Sequence, residues 1–169
     1  MTKRALILAG MGAGTLWALV TVPLARAVTH AVKMPLLDAL SLAFLPCGVV
    51  LLAMIGRLAQ RRFFDDAIID GEAFRAESPA DIDQRVLRNT VEQGMLAVLL
   101  WPLIGSVLGG GAVLFLGASF AVTRVMFWLG YHISPPLRAF GFAAGFYPTI
   151  TLLIAALVIG VDQGRFALP

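Results

Sequence analysis

The polar residues best suited to chemistry lie on one short stretch of the chain, residues 85–96. Arg85, Asn89 and Glu92 are spaced i, i+4 and i+7, so they share one face of a helix, and Leu96 continues that face. A guanidinium binds carboxylates through paired, charge-assisted hydrogen bonds, a carboxylate accepts from an ammonium, and an amide both donates and accepts. This face therefore suits a small zwitterionic peptide that carries several carboxylates.

A second polar stripe occurs later in the chain, where Arg124, Trp128 and Tyr131 share a helical face, and Arg138 follows the turn at 132–136. An arginine close to a thiol favours the thiolate, because a positive charge lowers the pKa of a nearby acid. Two interpretations stay open on the spacing alone. The stripes either form a binding site, or they form a buried ion-pair network that only locks helices together.

The elements that must position these residues are membrane helices. Of the 169 residues, 59% are hydrophobic and 14% are charged, with a mean hydropathy of +0.88. A soluble domain has about half apolar and about a quarter charged residues, so the excess apolar surface indicates contact with lipid. The uncharged runs, with a break at the glycine triplet 109–111, predict an all-α integral membrane protein with five spans: 5–26, 36–62, 84–107, 111–133 and 138–161.

The first span also resembles a secretory signal, since an apolar run is followed by an A-x-A pattern at 25–27. The run from residue 5 to residue 25 is longer than a typical signal core of about 7–15 residues. We therefore expect a retained transmembrane helix within residues 1–33.

The distribution of Lys and Arg predicts the orientation of the chain. One side of the membrane would hold only Arg26, Lys33 and Arg165. The other side would hold a larger set: Lys3, Arg4, Arg57, Arg61, Arg62, Arg75, Arg85, Arg88 and Arg138. This bias predicts a cytoplasmic N-terminus and an external C-terminus, with a bacterial inner membrane as the expected location.

The remaining polar segment, about 63–82, is expected to be a solvated cytoplasmic loop, with a helix start at 78–81. Seven acidic residues between positions 57 and 84 are included in this expectation: Asp65, Asp66, Asp70, Glu72, Glu77, Asp81 and Asp83. A single cysteine, Cys47, excludes an internal disulfide, and His30 and His132 lack a ligand-like spacing. We expect neither a metal site nor a nucleic-acid partner.

Two motifs resemble those of the MAPEG family (membrane-associated proteins in eicosanoid and glutathione metabolism). The first is residues 85–92, which read R-x-x-x-N-x-x-E at the start of a hydrophobic helix. The second is residues 124–131, which read R-x-x-F-x-x-G-Y, with Arg138 seven residues later. A weaker third is Arg61-Arg62. Together they cover about residues 36–161.

The resemblance implies a four-helix bundle at 34–169 that assembles as a homotrimer, with glutathione as co-substrate between neighbouring subunits at the cytoplasmic side. Carried over residue by residue, Arg138 would stabilise the glutathione thiolate and Arg62 would assist at the second substrate. Glutathione itself would contact Arg61, Arg85, Asn89, Glu92, Gln93 and Tyr131.

The expected function is a membrane-embedded glutathione-dependent transferase or peroxidase that acts on lipophilic electrophiles. The alternative is a non-catalytic accessory or scaffold subunit of a larger membrane complex with the same fold. Phe127 replaces a tyrosine of the family, and Gln93 stands where an aromatic residue is frequent. Both changes, together with the extra N-terminal helix, favour the alternative.

Overall fold

The computed structural model describes residues 2–166, and within this range the chain folds into five helices. Their bounds are Lys3–Ala31 (α1), Leu36–Phe63 (α2), Pro79–Leu108 (α3), Gly110–Ile133 (α4) and Pro135–Asp162 (α5). Each helix is long and apolar enough to cross a membrane. The prediction of an all-α membrane protein with five spans is therefore confirmed.

The helix α3 begins at Pro79, which confirms the helix start predicted at 78–81 and lies ahead of the predicted membrane span at residue 84. The Ser78 hydroxyl accepts a hydrogen bond from the backbone N–H of Asp81 at 3.2 Å, and Pro79 occupies the first turn. Both features stabilise a helix start. Residues 79–83, which precede the predicted span, therefore belong to a helix that packs on its neighbours.

The helix α4 lies at the centre of the bundle and packs against each of the other four helices. The middle of the bundle is apolar, with Trp101 of α3 stacked on Phe44 of α2 at a ring separation of 5.4 Å. The Trp101 indole N–H donates to the Thr149 hydroxyl at 3.1 Å, so the buried donor is satisfied. These contacts of Trp101 join α3 to α2 and to α5 in the middle of the bundle.

The contact between α4 and α5 is close because two glycines lie in it. A Cβ on Gly130 would lie 2.6 Å from the Cα of Arg138, and a Cβ on Gly141 would lie 2.6 Å from the Cα of Phe127. Small residues let the backbones of membrane helices approach this closely. The close approach holds Arg138, in the first turn of α5, beside the last turns of α4.

The N-terminal helix α1 runs parallel to α5, since Gly10 of α1 lies beside Ala139 of α5 and Gly14 lies beside Ala143. The helices α1, α3 and α5 therefore begin at the same end of the bundle, where α2 and α4 end. We call this the loop end, because it carries the segment 64–78. The predicted site residues all lie toward this end.

Candidate functional site

A cavity of about 380 Å³ lies toward the loop end, between α1, α3, α4 and α5. Three of the residues predicted to bind or activate glutathione contribute to it: Asn89, Tyr131 and Arg138. The rest of its lining is apolar: Ile7, Met11, Phe127, Ala139 and Phe142. Side chains that are far apart in sequence are thus brought to one concave surface.

The cation in this cavity is Arg138. Its guanidinium carbon lies 4.8 Å from the centroid of the Tyr131 ring, in a cation–π arrangement. The Tyr131 ring meets Phe127 edge-on at 5.1 Å. No carboxylate among residues 2–166 forms a salt bridge with Arg138. The positive charge is therefore held by aromatic packing and stays available to an anion that enters the cavity.

Asn89 is oriented by a buried arginine, Arg124, which is 0% exposed. One terminal nitrogen of Arg124 donates to Asn89 Oδ1 at 3.0 Å, and the other donates to the carbonyl of Gly141 at 2.6 Å. The guanidinium also lies 4.5 Å from the Phe127 ring centroid. Because the Asn89 oxygen is occupied, its amide nitrogen points elsewhere and lies 3.5 Å from Glu92 Oε2.

Sequence reasoning placed Arg124 in a motif but assigned it no role. A lone charge in the middle of an otherwise apolar span was the available signal, since such residues pair or line a polar site. The two α1 residues of the cavity, Ile7 and Met11, carried no comparable signal, because they look like any lipid-facing residues.

The other predicted residues of α3 flank Asn89. Arg85 is 46% exposed and pairs with Asp81 at 2.7 Å and with Glu77 at 3.2 Å. Glu92 is exposed on the same helix, whereas Gln93 is buried, and its Oε1 atom has no hydrogen-bond donor among the residues that the structure describes. Arg85 and Glu92 thus point away from the centre of the bundle, whereas Asn89 between them faces the cavity.

Arg61 lies in a different cluster, centred on Asp83. The Asp83 carboxylate is only 2% exposed and is bonded to three side chains: Arg61 Nε at 2.6 Å, Trp128 Nε1 at 2.8 Å and His132 Nε2 at 2.8 Å. The expectation that Asp83 belongs to a solvated loop is wrong. Its position in the second turn of α3 turns it toward α2 and α4, and a buried carboxylate requires such partners.

Arg62 also has partners within the chain. Its Nη1 donates to the carbonyls of Ile68 at 2.9 Å and Glu72 at 3.2 Å, and its guanidinium covers the Phe74 ring at 4.3 Å. Arg62 therefore organises the segment 64–78. Within a single chain, neither Arg61 nor Arg62 lines the cavity that contains Arg138.

The fold and this cavity define an integral membrane protein in which a helical bundle holds a polar site at one end. Comparison with protein families matches residues 39–158 to the MAPEG family, and the chain belongs to that family, which includes glutathione transferases and peroxidases. The match begins in α2 and ends in α5, so α1 lies outside it. Comparisons with curated proteins and with solved structures gave no match.

Proposed function

We propose that the protein is a glutathione-dependent transferase or peroxidase that acts on lipophilic electrophiles within the bilayer. The observation that carries the proposal is the Arg138 guanidinium, which no carboxylate of the described residues neutralises and which lines a cavity with Tyr131 and Asn89. A cavity of about 380 Å³ lies within the usual range of about 300–1,000 Å³ for small-molecule sites.

Arg138 would act on the sulfur of glutathione. Its charge favours loss of the thiol proton to solvent, and the Tyr131 hydroxyl can donate a hydrogen bond to the thiolate that forms. In a transfer reaction the sulfur bonds to the electrophilic carbon, while the leaving group departs with the electron pair of the bond that breaks. The two residues act by positioning and by stabilising negative charge, without a covalent enzyme intermediate.

The α3 residues would hold the rest of the peptide. Arg85 would bind a carboxylate of glutathione, Glu92 would accept from its ammonium, and Asn89 would donate from its amide nitrogen. Gln93, beside Asn89, would also contact the peptide. The ion pairs that Arg85 makes with Asp81 and Glu77 lie on the surface, where such pairs stabilise little and exchange partners readily.

We further propose that the protein is a homotrimer whose α3 faces a neighbouring subunit. Glu92 is exposed beside Met95 and Leu99, which are 57% and 65% exposed. A carboxylate among lipid-facing side chains is costly, and a second copy of the chain would cover it. A boundary between subunits would also give Arg61 and Arg62 a route to the bound peptide.

The proposed site lies at the cytoplasmic side of a bacterial inner membrane. The Lys and Arg bias favours a cytoplasmic loop end and an external C-terminus. Glutathione is a cytosolic thiol, so this orientation supports access to the co-substrate.

A second candidate is a non-catalytic accessory or scaffold subunit of a larger membrane complex. The specific observation in its favour is that Arg61, Arg62 and Arg85 already have partners within the chain. Such pairs would then serve only to hold the helices and the segment 64–78 together.

Titration calorimetry with glutathione on the purified protein in mild detergent separates the two candidates. For the enzyme we expect binding at millimolar concentrations or below, together with an ultraviolet thiolate absorbance. Arg138→Ala should abolish the thiolate signal and slow conjugation about 10-fold for each unit by which the thiol pKa rises. It should weaken binding less than Arg85→Ala or Glu92→Ala, because the charged ends of the peptide would still be held. If the wild-type protein neither binds glutathione nor shows a thiolate absorbance, the accessory or scaffold subunit is the candidate that remains.

A further inference from the structure

The helix outside the family match contributes directly to the candidate site. Ile7 and Met11 of α1 line the same cavity as Asn89, Tyr131 and Arg138. They lie one helical turn apart and are both partly buried. They therefore present one apolar strip to the cavity.

The position of this strip is determined by tight packing of α1. A Cβ on Gly14 would lie 2.9 Å from the backbone nitrogen of Ala144, and a Cβ on Gly10 would lie 3.1 Å from the Cβ of Ala139. The Trp17 indole nitrogen donates to the Ser119 hydroxyl of α4 at 3.0 Å. Small residues at such contacts let helices lie close together, so α1 cannot move away from the cavity without losing this packing.

The polar groups of the cavity suit only one of the two substrates, glutathione. Asn89, Tyr131 and Arg138 are its polar lining, and they suit the peptide and its sulfur. The remaining lining is apolar, and α1 supplies two of those side chains. The electrophilic carbon must meet the sulfur at Arg138, so the hydrocarbon group that carries this carbon has to lie against the apolar lining.

We propose that Ile7 and Met11 determine which electrophiles the enzyme accepts, by forming the wall against which the hydrocarbon group of the substrate packs. This inference rests on the proposed glutathione-dependent activity. At about 380 Å³ the cavity is near the small end of the range for ligand sites, so the wall favours compact hydrocarbon groups and excludes wide ones.

The test uses three chlorides that share a reactive carbon and a leaving group: benzyl, naphthylmethyl and anthracenylmethyl chloride. Glutathione sulfur bonds to the methylene carbon, chloride leaves with the electron pair, and the thiol proton goes to solvent. The measured quantity is the ratio of kcat/KM for the anthracenylmethyl substrate to kcat/KM for the benzyl substrate. Any effect of a variant on the thiol is the same for both substrates and therefore leaves this ratio unchanged.

The Ile7→Ala/Met11→Ala variant should raise this ratio about 10-fold or more, since small changes in an apolar pocket alter selectivity by about 10–200-fold. The matched control is Leu8→Ala/Leu16→Ala on the same helix, where both side chains are lipid-facing, at 66% and 65% exposure. It should leave the ratio unchanged. Ile7→Phe, which fills the cavity, should lower the ratio. Glutathione affinity by calorimetry should stay within about twofold in all three variants, a change below about 0.5 kcal/mol.

The outcomes are distinguishable from failure of the proposed function. Wild type that neither binds glutathione nor conjugates any chloride removes the proposed function and this inference together. Wild type that binds and conjugates, with the same ratio in the cavity variants and in the control, overturns the role of α1 alone. Ile7→Phe keeps the test decisive if the double alanine variant fails to fold, because it removes no packing.

Discussion

Asp83 is the residue whose replacement tests the structure most directly, because its burial was not expected from the sequence. Its carboxylate receives hydrogen bonds from Arg61, Trp128 and His132, which come from two other helices. Asp83→Ala removes the acceptor for all three at once. Asp83→Asn keeps the shape and one oxygen, but removes the charge that pairs with Arg61.

The magnitude follows from the exposure of the partners. Removing one member of a buried ion pair costs about 3–5 kcal/mol, and each stranded donor costs about 1–3 kcal/mol. Asp83 is 2% exposed, but Arg61 is 23% exposed and can regain some solvent contact. We therefore expect the low end for Asp83→Ala, about 3 kcal/mol, and about half of that for Asp83→Asn.

The assay is thermal unfolding in mild detergent, followed by tryptophan fluorescence. For a chain of this length about 3 kcal/mol corresponds to a fall in Tm of about 6–12 °C. Trp128 also reports the change locally, since its indole N–H loses its acceptor in Asp83→Ala. The matched control is Asp66→Ala in the segment 64–78, where the carboxylate is exposed.

A coupling measurement separates the ion pair from general damage. In the cycle of Asp83→Asn, Arg61→Met and the double variant, a coupling energy of about 0.5–3 kcal/mol is expected for residues in contact. If Asp83→Ala unfolds at the same temperature as Asp66→Ala, or if the coupling is absent, the buried cluster does not stabilise the protein and the reasoning is refuted.

Three further predictions concern the site and the assembly. Arg124→Met should weaken glutathione binding about 10-fold, or about 1.4 kcal/mol, by freeing the Asn89 amide to rotate. Calorimetry should show no added loss when it is combined with Asn89→Ala, and additive losses would contradict the positioning role. Native mass spectrometry should detect three copies of the chain, and a stable monomer in mild detergent would count against the proposed interface at α3. Reporter fusions after residue 169 should read as external to the cytoplasm, since Lys and Arg favour the cytoplasmic side, and a cytoplasmic signal would reverse the orientation.

The sequence by itself determined the number and the type of the helices. In lipid every backbone polar group must form a hydrogen bond within the structure, so each long apolar run has to be a helix. The apolar runs themselves can be read directly from the order of the residues. The helical period likewise places Arg85, Asn89 and Glu92 on one face of α3. Both inferences depend on local properties of the chain and are independent of how the helices pack.

Packing decided which side chains meet. The family resemblance implied that Arg61 contacts glutathione, and Asp83 was expected to be solvated. The packing of α2 against α3 instead joins the two side chains at 2.6 Å. The two residues are remote in sequence and no repeat relates them, so the pattern carried no information about the pair. The same holds for Arg124 and Asn89, whose contact depends on which turns of α3 and α4 pack against each other.

The position of α1 was also decided by tertiary structure. Small residues such as Gly10 and Gly14 suit close packing of membrane helices, but their spacing in the sequence does not identify the helix on which they pack. Docking on α5 brings Ile7 and Met11 to the cavity with Arg138, whereas docking elsewhere would leave them facing lipid. Helix formation in a membrane is determined by each segment alone. The partners of a helix depend on shape complementarity between surfaces that the chain brings together only when it folds.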